Sequence, residues 1–129
     1  MHYLIPFVLL VFSQCALLQN PAQVEILARN SMDLGVKKAH LSAKQIETIR
    51  TILTDIKPVL YAALSQDPDT IAQVTTTFLD QYDESVSALV NTVLQIGLVE
   101  VQKLLKDKDL QQAREIIDAT LKGGLAGLP

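Results

Sequence analysis

Six apolar side chains, Ile46, Ile49, Leu53, Ile56, Leu60 and Ala63, recur at intervals of three, four, three, four and three residues. That spacing follows the 3.6-residue helical period and lines them along one face, leaving Glu47, Arg50, Thr54 and Lys57 outside it. A β-protein would need apolar residues alternating with period two and tight-turn pairs such as Asn-Gly or Asp-Gly, and the chain has neither. An all-α fold follows.

Local start signals divide the chain into helices. Ser42-Ala43-Lys44-Gln45 has capping-box spacing, in which the Ser hydroxyl and the Gln amide satisfy N–H groups that the first helical turn leaves unpaired. Asp67-Pro68-Asp69 supplies an N-cap, a proline pre-set for the first helical position and an acid facing the positive end of the helix dipole. Asp109 and Gln112 repeat the capping-box spacing. Ahead of these, Val24, Leu27 and Ala28 mark a short first helix after Pro21, predicted to end before Gly35. Residues 35–41, with Lys37, Lys38 and His40, then form an exposed connection. Pro58 removes a helical hydrogen bond to the carbonyl of Thr54, which predicts a kink or two abutting helices.

Ile71, Val74, Phe78 and Tyr82 form a further stripe that could run on through Val86, Leu89, Val93 and Ile96. One unbroken helix of that length would be roughly 58 Å long, far beyond a domain of this size, so residues 80–85 are predicted to turn. Residues 85–99 carry no charge and place Val86, Leu89, Val90, Val93, Leu94, Ile96, Leu98 and Val99 around most of a helix, which suits the centre of a core. The last helix carries Leu110, Ala113, Ile117 and Leu121. Gly123-Gly124 is read as its stop, with a left-handed cap at Gly123 and a flexible tail beyond about residue 123. Short connections between four to five amphipathic helices favour an up-and-down bundle.

The whole chain has 129 residues and is 49% hydrophobic, with one Cys and no Trp. That suits a single domain that folds without disulfides. Residues 3–12 are uncharged and too few to span a membrane, and Ser13-Gln14-Cys15-Ala16 places small residues where a signal peptidase cuts. The expectation is a signal peptide over 1–15, cleaved to leave a secreted single helical domain over 16–129 without a transmembrane segment. Cleavage removes the only thiol and leaves Tyr61, Phe78 and Tyr82 as the aromatic residues.

Little catalytic chemistry is then available. His40 alone cannot build a histidine metal cluster, and no serine sits in a nucleophile elbow. The acidic pairs Asp67/Asp69, Asp83/Glu84 and Asp107/Asp109 fall where caps and turns are expected. No glycine-rich loop leads from a strand into a helix to cradle phosphate. A net charge of -3 gives no basic field for nucleic acid. No enzyme activity, cofactor or metal is expected.

Two functions remain. One is a secreted binding or carrier module enclosing an apolar small molecule or lipid between its helices, with Tyr61, Phe78, Tyr82, Val86, Leu89, Val93 and Ile96 as candidate ligand or interface residues. The other is an extracellular interaction protein that associates with itself or with a protein partner through exposed apolar faces.

Overall fold

The structure, a computed structural model, describes residues 20–129. Five helices follow one another: α1 (Pro21–Ala39), α2 (Ala43–Ala63), α3 (Pro68–Leu79), α4 (Glu84–Lys106) and α5 (Leu110–Ala126). There is no strand among the described residues. The chain is an all-α helical bundle, as the apolar spacing predicts. The expected signal segment, with Cys15, lies outside the described residues.

The predicted helix starts form through the predicted contacts. Ser42 Oγ accepts from the Gln45 backbone N–H at 3.1 Å, while the Ser42 N–H donates to Gln45 Oε1 at 2.9 Å. Asp67 accepts from the Thr70 N–H at 3.0 Å with Pro68 at the first helical position. Asp109 accepts from the Gln112 N–H at 3.1 Å, and the turn predicted over 80–85 separates α3 from α4. Asp83 differs. It occupies the N-cap position of α4, yet its carboxylate accepts from the Gln45 side-chain amide at 3.2 Å, tying the start of α2 to the start of α4.

Three boundaries depart from expectation. Helix α1 passes through Gly35 and ends at Ala39, so the exposed connection shrinks to the few residues around His40. The buried stripe Val24, Ala28, Met32, Val36 carries the helix past the glycine, and Asp33 pairs with Lys37 at 3.2 Å one turn on. His40 ends the helix in the left-handed region at φ 51°, its N–H turned back on the carbonyls of Lys37 and Val36. Of the two outcomes expected at Pro58, two abutting helices do not form, since α2 is one helix from Ala43 to Ala63. Nor do Gly123 and Gly124 end α5: the helix continues to Ala126, and no glycine among the described residues has positive φ.

The reason lies in helix pairing. Along α5, Gly123 meets Glu25 and Ala28 of α1, and Gly127 meets Arg29 and Met32, so the two helices run in the same direction with backbones nearly touching. A β-carbon at Gly123 would fall on the carbonyl oxygen of Glu25 and 2.9 Å from the Ala28 Cβ. Small residues four apart allow this approach, as in membrane helix pairs, and the glycines serve contact rather than termination. The residues after α5 are likewise held: Leu128 is buried, and the Pro129 carbonyl accepts from Arg50 Nη2 at 3.2 Å.

The α1–α5 pairing is the most extensive in the bundle, followed by α5 on α4 and α4 on α1. Helix α2 packs on α5, α3 and α4. The core joins Val24, Met32, Ile49, Leu53, Ile56, Ile71, Val93, Leu94, Ile116 and Ile117.

Two faces are rotated from the predicted ones. On α3 the buried residues are Ile71, Thr75 and Leu79, with Thr75 Oγ1 donating to the Ile71 carbonyl at 2.7 Å, while Val74 and Phe78 are half-buried. Turning its hydroxyl back on the helix lets a threonine occupy the core face. On α4, Val99 is 46% exposed and Glu100, its neighbour, is 2% exposed. Helix α4 is long and apolar enough to cross a membrane, and half of its apolar window is buried in the bundle.

Candidate functional site

An open apolar groove of about 430 Å³ lies between the second half of α2 and the start of α3. Pro58, Val59, Ala62 and Ala63 form its α2 side, Thr70 and Val74 its α3 side, and Gln66 in the intervening turn closes one end. Small side chains leave its space unfilled. Ala62 and Ala63 stop at Cβ, and the α3 face turned to the core is that of Ile71, Thr75 and Leu79. Val74 and Val59 are thereby left half-buried along the groove walls. The volume falls within the range of small-molecule sites, which are mostly apolar with a few polar groups.

The polar groups sit at one end. Gln66 lies in the α2–α3 turn, and Thr70 stands opposite with its hydroxyl donating to Asp67 Oδ1 at 3.0 Å. No charged side chain lines the groove. Two other hollows are more polar. One, about 290 Å³, is edged by Glu25, Glu115, Asp118 and Lys122, and the other, about 200 Å³, by Arg29, Asn30, Asp33 and the last residues.

A polar cluster joins α2 to α5 on another side. The Tyr61 hydroxyl donates to Asp118 Oδ1 at 2.5 Å, and Lys57 Nζ lies 3.3 Å from the same oxygen. Lys57 and Arg114 approach the Tyr61 ring at 5.5 and 5.9 Å from its centroid, within cation–π range. Burial first, then the hydrogen bond to Asp118 and its negative charge, push the phenol up to about 12, against a smaller opposing effect of Arg114. The cluster clamps two helices and keeps Tyr61 protonated. It offers no activated nucleophile.

Glu100 is the one charged residue buried among the described residues. Its Oε1 meets Lys103 Nζ at 3.4 Å, and its Oε2 finds no hydrogen-bond partner among the described residues. No group of three or more His, Cys, Asp or Glu side chains there is placed to hold a metal ion.

The residues singled out from sequence are spread over α2, α3, α4 and the turn between α3 and α4. Val86 and Val93 are buried in the core, and Leu89, half-buried, packs against Gly35. Ile96 is also half-buried against the core. Phe78 and Tyr82 stack on each other at a tilt, with centroids 5.9 Å apart, near the end of α3. Tyr61 turns to α5. None of the seven lines the α2–α3 groove, whose walls come from small and β-branched residues. The Ala62-Ala63 pair beside Pro58 is the sequence signal that marks it, a gap in side-chain volume on an otherwise bulky helix.

Compared with models of protein families, with curated proteins and with solved structures, the chain matches none.

Proposed function

We propose that this is a small secreted, non-enzymatic protein, an up-and-down bundle freed by cleavage after residue 15, that binds or carries an apolar small molecule or lipid. The α2–α3 groove carries the reading: it is uncharged, largely apolar and of ligand size. The uncharged run over 3–12, followed by Ser13-Gln14-Cys15, supports the secretory part. Mass spectrometry of an organic extract of the purified, secreted protein tests the function. A recurrent apolar compound at a fixed ratio to protein is expected. An extract without one, together with no uptake of a fluorescent apolar probe, overturns the reading.

A second reading rests on α1. Ile26 is 47% exposed and Leu34, two turns on, 54% exposed, giving this helix an apolar outer edge that suits self-association. Sedimentation across a range of concentrations separates the two, because a monomer at every concentration removes the second reading.

A further inference from the structure

The groove is apolar along α2 and polar at one end, and no charged side chain lines it. From Pro58 to Ala63 it follows about one and a half turns of α2, roughly 8 Å, and it continues into the α2–α3 turn at Gln66. Gln66 and Thr70 stand where it meets the α2–α3 turn. Asp67 touches that end directly, through the bond from Thr70 Oγ1, and Asp69 is exposed in the same first turn of α3. Lys57, next to Pro58, is engaged by Asp118 on the α5 side. The Gln102 amide of α4 donates to the Pro68 carbonyl at 3.4 Å, and Asp67 and Asp69 form no ion pair among the described residues.

Taking the binding reading above as given, we infer that the groove selects a single-chain amphiphile with an uncharged hydroxyl head, seated at Gln66 and Thr70, and discriminates against the corresponding carboxylate. A hydroxyl both donates and accepts. It can therefore pair with the Gln66 amide and with the Thr70 oxygen, whose own proton is given to Asp67. A carboxylate placed there would meet the charges of Asp67 and Asp69 with no cation in the groove wall, and would exchange full hydration for repulsion. The apolar length accommodates the chain, and the acidic turn sets the choice of head.

The test compares 1-decanol with decanoate at pH 7 and low salt, each displacing N-phenyl-1-naphthylamine from the full folded domain. Decanol is expected to bind about fivefold or more tightly than decanoate, with the difference shrinking as salt is added. The double variant Asp67→Asn with Asp69→Asn keeps a side chain able to cap α3, and should bring decanoate up towards decanol. Ala62→Trp, at an exposed position, should fill the groove and weaken both. Equal or tighter binding of decanoate, or a preference that the double variant leaves unchanged, overturns the headgroup inference while the carrier reading stands. Binding that Ala62→Trp does not weaken removes the groove as the site. Absence of binding by the probe and both amphiphiles overturns the two readings together.

Discussion

Gly123 of α5 rests on the carbonyl of Glu25 in α1, so closely that the helix axis separation is set by the absence of a β-carbon. Helix propensity and packing therefore pull in opposite directions at this residue. Alanine is the better helix former by about 1 kcal/mol in an unpacked helix. Here its methyl group would overlap backbone, which cannot step aside as a side-chain end can. Gly123→Ala is expected to destabilise the protein by about 1–3 kcal/mol in urea unfolding, the range for overpacked sites. A stabilised variant would show that the two helices are free to separate.

Glu100 predicts the reverse sign. It is buried on α4 with one oxygen unpartnered and the other only weakly engaged by a half-exposed lysine. A buried charge so poorly compensated costs more in lost hydration than it regains. Glu100→Met, close in shape and without charge, should raise unfolding stability by about 1 kcal/mol or more. A loss of stability in chemical denaturation would mean that the carboxylate is held by contacts beyond Lys103.

Tyr61 gives a pH signature. Its phenol has an ordinary value of 10.0 and is raised to about 12 in the fold, so the folded state holds the proton more tightly than the unfolded chain. The stability this contributes is complete below pH 10 and is lost as pH rises from 10 towards 12. Tyrosinate absorbance in a Tyr3→Phe, Tyr82→Phe background should show the delayed titration. Asp118→Asn, which removes the acceptor's charge, should move it to lower pH. An unchanged midpoint in that variant would refute the role of Asp118.

The Ser42 cap is an isolated local test. Ser42→Ala removes the hydroxyl that accepts from the Gln45 N–H and leaves only the reciprocal bond, from the Ser42 backbone N–H to Gln45 Oε1. The expected loss is about 1 kcal/mol in thermal or urea unfolding, and Ser42→Asp should retain most of the stability. Equal stability of the alanine variant would mean that tertiary packing alone fixes the start of α2.

These cases also show which features could be read in advance. The caps at Ser42, Asp67 and Asp109 were legible because each is completed within four residues of chain, by a contact the sequence itself contains. The buried face of α2 was legible because its period is strict. Gly123 was misread because a glycine after a helical stripe signals termination locally, whereas its use here is decided by Glu25 and Ala28 at the far end of the chain. The burial of Glu100 and exposure of Val99 likewise depend on which face α4 turns to its neighbours, and an apolar run without charges leaves that rotation open. The groove is the least legible feature, since it consists of volume left unfilled between two helices, and unfilled volume has no residue type of its own.

The closest helix pairing joins the first described helix to the last, with consequences for how the chain is made. A ribosome releases Val24, Ala28 and Met32 long before the segment around Gly123 and Gly127 that covers them. Helices α2, α3 and α4 can begin to associate through near neighbours in sequence, and α4 covers part of α1, but the α1 surface that meets Gly123 and Gly127 stays uncovered until α5 has been made. Non-local closure of this kind slows folding and prolongs exposure of apolar surface. The α1 face is sealed only when α5 arrives.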